Sequence, residues 1–146
     1  MSNYPLTLNV SPSIGAVSGE FKVPENSIAI MTLAHGAGAG MNHPFMATLS
    51  NYLAEAGIAT LRFNFPFFEN GKKRPDVPAV AHKTVEAAMQ LATEKFPDLP
   101  LFVSGKSFGG RMTSQVLSLH PYPAVKGIIF YGFPLHPAAQ TGGLYP

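Results

Sequence analysis

Gly105-Lys106-Ser107-Phe108-Gly109 carries the most chemically pointed pattern in the chain. It is a G-x-S-x-G sequence directly after the apolar Leu101-Phe102-Val103 and directly before a segment with helical spacing. That is the setting of a nucleophile elbow, in which the backbone turns from strand to helix within a few residues and exposes a serine hydroxyl. The turn is crowded, so the positions two residues to either side of the serine must lack a Cβ, as Gly105 and Gly109 do. Ser107 is thereby held in strained backbone and becomes the candidate nucleophile for acyl transfer. The plainer alternative is an ordinary glycine-rich turn.

A serine attacking a carbonyl creates an oxyanion, and each preorganised N–H donor aimed at it lowers the barrier by about 3–4 kcal/mol. One donor is the residue after the nucleophile, here Phe108; the other comes from a glycine-rich turn after an upstream strand. His35-Gly36-Ala37-Gly38 follows the apolar run Ile28–Ala34, which makes Ala37 the candidate second donor. His35, Gly36 and Gly38 are the candidate binding residues of this turn, with His35 read as a brace for the loop rather than a base. A flexible turn without a ligand is the competing account.

Phosphate-binding readings fail on spacing. Gly105-Lys106-Ser107 mimics the end of a P-loop, but Pro100 stands where that motif needs glycine. From Gly36 or Gly38, the third glycine of a dinucleotide fingerprint falls on Met41 or His43.

The surrounding pattern supplies elements to hold these turns. Leu6, Leu8 and Val10, then Val17, Phe21 and Val23, alternate about Ser11-Pro12-Ser13 and predict a hairpin. After the strand at Ile28–Ala34, Phe45, Leu49, Tyr52, Leu53 and Ala56 mark a helix opened by Pro44 and closed by Gly57. A strand at Ile58–Phe65 and a loop at Pro66–Pro75 follow. Asp76 is positioned to cap a second helix, whose apolar face runs from Val77 to Ala92. A third helix spans Phe108–Leu119, with Phe108, Met112, Val116 and Leu119 on one face, and a last strand spans Val125–Phe133. This alternation predicts a mostly parallel sheet with helices on both faces and an active edge at the strands' carboxyl ends.

Taken together, Leu33-Ala34-His35-Gly36-Ala37-Gly38, Arg62-Phe63-Asn64-Phe65-Pro66, Gly105-Lys106-Ser107-Phe108-Gly109-Gly110-Arg111-Met112 and Gly132-Phe133-Pro134-Leu135-His136-Pro137 resemble consecutive landmarks of one α/β-hydrolase branch. It is the small dienelactone-hydrolase-like group that includes bacterial hydrolases, a testis-expressed animal protein and the hydrolase-like subunit of the non-specific-lethal chromatin complex. The resemblance spans roughly residues 25–138. It implies one α/β-hydrolase domain over residues 1–146, a three-layer sandwich with an N-terminal hairpin and its last strands missing. It also implies Ser107 as nucleophile and an oxyanion hole around Ala37 and Phe108.

In that fold the triad runs in the order Ser, Asp or Glu, His. After Ser107 the sequence has no acidic residue, and its histidines there are His120 and His136. The usual acid and base are thus expected in missing sequence, with His136 the one residue of this chain weighed as a substitute base. Lys106 as a dyad partner is disfavoured because neighbours in an extended segment point to opposite sides. His43 reads as a cap or surface residue and His82 as solvated. Lys72-Lys73-Arg74 reads as a solvated loop over a docking patch; Phe63, Phe65, Phe67 and Phe68 are weighed as an acyl-pocket lining, with the first two read as core; and Arg111 reads as an anchor for the elbow helix over a binder of a substrate carboxylate.

Composition narrows the class. The chain has 146 residues, 46% hydrophobic and 12% charged, against about 25% charged in an average domain, which argues for a buried core. A net charge of +2 without a clustered basic face predicts no nucleic-acid partner. The absence of cysteine excludes a disulfide scaffold and a thiol nucleophile. No apolar run approaches the roughly 18 residues of a membrane span, and the start lacks a signal-peptide pattern, so a cytoplasmic protein is expected. No metal or organic cofactor is implied; the expected partner is a small acyl substrate. The apolar strand Val125–Phe133, left as a sheet edge, is expected to promote self-association. The rival to a hydrolase is a non-catalytic interaction scaffold that keeps the elbow as inherited geometry.

Overall fold

The computed structural model of the chain describes residues 2–132. Ten elements follow in order: β1 (Ser2–Ser11), β2 (Gly15–Val23), β3 (Ala29–Ala34), α1 (Pro44–Glu55), β4 (Ile58–Phe63), α2 (Pro66–Glu69), α3 (Pro78–Lys95), β5 (Leu101–Lys106), α4 (Phe108–Leu119) and β6 (Val125–Tyr131). The strands form one sheet in the order β1-β2-β4-β3-β5-β6. The hairpin β1–β2 and the β2–β4 pair are antiparallel, while β4, β3, β5 and β6 run parallel.

Every residue of β3 is buried, as a central strand covered on both faces requires. Its alternating side chains feed two layers. Ile30 and Ala34 join the larger core with Val85, Met89, Met112 and Val116 of α3 and α4. Met31 and Leu33 pack instead against Met46, Leu49 and Leu53 of α1. The result is helix, sheet, helix. β3 is followed in space by β4 on one side and β5 on the other, so the connection order reverses at β3. Crevices form at such a switch point, beyond the strands' carboxyl ends. The turn after β3 and the turn after β5 both open there.

Several local expectations are corrected. In α1 the buried stripe is Met46, Ser50 and Ala54, whereas Tyr52 is 66% exposed. Ser50 is buried because its hydroxyl hydrogen-bonds Thr60 Oγ1 at 2.9 Å, a match that hydrophobic spacing does not reveal. β4 ends at Phe63; Phe65 instead precedes α2, which Pro66 opens inside the expected loop. Asp76 does not cap α3: Val77 takes that position without a side-chain bond, and Asp76 Oδ2 accepts the Phe67 N–H at 3.0 Å. Leu119 is 61% exposed, leaving Phe108, Met112 and Val116 as the buried face of α4. β6 ends at Tyr131, with Gly132 at φ +68°, and Phe133 lies outside the described residues. His82 is half-buried rather than solvated, its Nε2 donating to Gln115 Oε1 across α3 and α4 at 2.7 Å.

Candidate active site

β5 ends at Lys106 and α4 begins at Phe108, so the whole reversal falls on Ser107. Its backbone lies at φ +53°, ψ −113°. A non-glycine residue held there costs about 1–3 kcal/mol, which the surroundings must offset. Two hydrogen bonds help: Ser107 N–H donates to Tyr131 O at 3.3 Å, and Ser107 O accepts Arg111 N–H at 3.0 Å. Steric demand explains the glycines. A Cβ on Gly105 would enter the backbone of Gly109 and Gly110, and one on Gly109 would strike the carbonyls of Ala34 and His35. Gly110 is a third requirement that the motif alone does not announce, since its Cβ would lie 2.9 Å from Gly105 O.

The turn after β3 abuts this elbow. A Cβ on Gly36 would meet Lys106 O at 3.3 Å and Ser107 Cβ at 3.7 Å. Gly36, Ala37, Gly38, His43, Lys106 and Ser107 share a cavity of about 300 Å³. Phe108 starts α4, where the first N–H groups have no intrahelical acceptor. Its ring is buried against Phe65 and Phe67, with centroids 5.3 and 5.9 Å away. The nucleophile candidate and the glycine-rich turn are therefore neighbours, despite being some seventy residues apart in sequence.

His35 is fully buried beneath that turn. Its Nε2 accepts the Phe65 N–H at 2.9 Å, so the proton sits on Nδ1, which donates to Gly36 O at 2.7 Å. The ring also meets Phe65 and Phe68 edge-on. Burial lowers its pKa to about 4, against an opposing effect of the Gly36 carbonyl. With both nitrogens committed, the side chain is a brace between two loops and has no site left for a substrate proton.

A polar tier below holds the rest of the loop. Arg62 pairs with Glu20 and donates through Nη1 to Met41 O at 3.0 Å. Asn64 Oδ1 accepts Met41 N–H at 2.9 Å, and its Nδ2 donates to Glu69 Oε1 at 3.0 Å. Glu69 also accepts the N–H and hydroxyl of Ser18. Burial raises the pKa of Glu69, but these donors outweigh it and leave the carboxyl below its ordinary value. Arg62 and Asn64 lie in one sequence landmark, yet Met41 and Glu20, which they bond, are 21 to 42 residues away and give no local signal.

The remaining candidates separate cleanly. His43 caps α1, its Nδ1 accepting Phe45 N–H at 3.2 Å, which leaves the neutral ring's proton on Nε2. Lys106 Nζ lies 5.3 Å from the Phe45 ring centroid. His120 is exposed at the far end of α4, and His136 lies outside the described residues. Phe63, Phe65 and Phe67 are buried, while Phe68 is 42% exposed over the closely approaching Gly40. Lys72, Lys73 and Arg74 are exposed, as a solvated loop should be.

A family model described as an alpha/beta hydrolase domain matches residues 27–144, and the chain belongs to that family. Solved structures share the fold. One is a dienelactone hydrolase from Anabaena variabilis, 21% identical, with a TM-score of 0.74 over 88% of this chain and 62% of that one. Another is an alpha-beta serine hydrolase homologue from Coxiella burnetii, 21% identical, with a TM-score of 0.73 over 89% of this chain and 62% of that one. A thermostable carboxyl esterase from Bacillus coagulans is 18% identical, with a TM-score of 0.71 over 89% of this chain and 44% of that one. The chain thus spans less than two thirds of the length of each.

Proposed function

We propose that this α/β-hydrolase chain supplies the nucleophilic half of a serine hydrolase acting on ester, thioester or activated amide bonds. Ser107 Oγ adds to the substrate carbonyl, and the N–H groups of Phe108 and Ala37 hold the resulting oxyanion. Collapse expels the alcohol, thiol or amine, which takes up the proton lost by the serine hydroxyl, and leaves an acyl-serine; water then cleaves it to the free acid and restores the hydroxyl. The observation that carries this reading is the positive φ of Ser107 at a strand-to-helix corner that three glycines make possible. The family match supports the hydrolase class. No metal or organic cofactor enters the scheme, and the site of action is the cytoplasm. Among the described residues no helix is long and apolar enough to cross a membrane.

Hydrolysis of short p-nitrophenyl esters tests it: Ser107→Ala reduces turnover to background while the fold survives. Equal turnover by the variant contradicts it. A second reading, a non-catalytic scaffold of the kind suggested by the chromatin-complex resemblance, is favoured by one observation. His35, His43 and His82 are each engaged in hydrogen bonds that suit structural roles. An inert Ser107 in a well-folded protein would select it. Self-association along β6, whose Val125, Ile128 and Ile129 are only half-buried, completes the proposal.

A further inference from the structure

Lys106 immediately precedes Ser107, and the two residues line one cavity although neighbours in a strand ordinarily diverge. The strand ends at Lys106 and the chain turns, which brings both to the same opening. Among the described residues the cavity lining contains no acidic side chain; its basic members are Lys106, His43 and the buried His35. Lys106 is half-buried, and among the described residues the ion pairing is confined to Arg62 and Glu20. Its ammonium rests over the face of Phe45, a soft contact that a carboxylate can readily replace. A half-buried cation beside a nucleophile, with no carboxylate among the described residues of the lining, is arranged to receive an anion.

We infer that Lys106 is the specificity-determining residue of this site and selects short acyl groups ending in a carboxylate, as in half-esters of small dicarboxylic acids. The inference rests on the reading of Ser107 as nucleophile and adds the substrate class. Ser107 Oγ forms the new C–O bond to the esterified carbonyl carbon, the bond from that carbon to the alkoxy oxygen breaks, the serine's hydroxyl proton leaves with the alcohol, and the distal carboxylate remains paired with Lys106 throughout. The cavity of about 300 Å³ has room for a chain of a few methylenes between the two carbonyl carbons.

The test compares p-nitrophenyl hemiglutarate with the neutral p-nitrophenyl valerate in the wild type, Lys106→Met and Lys106→Arg, together with calorimetric binding of monomethyl glutarate. The wild type is expected to prefer the anionic ester by about tenfold in kcat/KM, mainly through KM. Lys106→Met removes that preference, Lys106→Arg restores it in part, and added salt weakens it in the wild type even if Lys106→Met does not fold. Turnover of both esters with no preference for the anionic one, or with a preference unchanged in Lys106→Met, overturns the inference and leaves Ser107 as nucleophile. No turnover of either ester, with Lys106-dependent binding of monomethyl glutarate, upholds the anion site and fails the hydrolase reading. No binding by the wild type overturns the anion site.

Discussion

The backbone N–H of Phe65 donates to Nε2 of His35, joining the start of α2 to the turn that borders Ser107. This bond fixes the neutral tautomer and commits the other ring nitrogen to Gly36 O. His35 thus sets the path of the turn from beneath without taking part in proton transfer.

That burial makes His35 a source of acid sensitivity. Its folded pKa of about 4 lies below the ordinary 6.5, so the unfolded chain binds the proton first as pH falls. Stability from this group is intact above about 6.5, declines as pH drops, and levels off below about 4, a loss of roughly 3 kcal/mol. Urea unfolding across that range should show the decline in the wild type and a smaller one in His35→Gln. Parallel pH profiles for the two proteins would contradict the assignment.

The elbow's glycines should rank by their clearances. Gly109→Ala drives a Cβ into two carbonyls of the β3 turn and is expected to cost about 3 kcal/mol or more, or to prevent folding. Gly36→Ala meets its nearest atom at 3.3 Å, where a small shift suffices, and should cost about 1 kcal/mol. Thermal unfolding of both variants checks the order, and a reversed ranking would refute the geometry.

Much of this corner was legible in the sequence because its requirements are local. Gly105 and Gly109 bracket Ser107 at fixed spacing, Pro121 follows the end of α4, and the unbroken apolar run into Ala34 marks a strand covered on both sides. What stayed hidden depends on contacts made only in the folded chain. Ser50 turns inward to meet Thr60, Asp76 leaves its helix to take the Phe67 N–H, and His82 reaches Gln115 on another helix. Polar residues with distant partners look solvent-directed until the partner is known. The stripe of α1 was displaced for the same reason, because Tyr52 is apolar enough to seem buried and Ser50 is not.

Arg62 should matter to the site although it does not line the cavity beside Ser107. It is buried, paired with Glu20, and bonded to the carbonyl of Met41. Arg62→Met leaves Glu20 and that carbonyl without their partner and is expected to cost about 3 kcal/mol. Glu20→Gln retains a hydrogen-bond acceptor and should cost less. Denaturant midpoints test the ranking; equal, negligible losses would show that the pair does not hold the loop.

Association along β6 is testable by light scattering over a concentration series. The expected mass rises above that of a monomer at high concentration, and Ile128→Lys, at a half-buried position of the strand, reduces the rise. A monomer throughout would exclude this edge as a template.

Reaction of the folded protein with a fluorophosphonate, followed by peptide mass spectrometry, addresses the nucleophile itself. The account predicts a single phosphonyl adduct on the peptide containing Ser107, lost in Ser107→Ala and lost on unfolding in urea. A folded protein that gains no adduct at Ser107, or gains it equally when unfolded, would contradict the claim that this corner activates its hydroxyl.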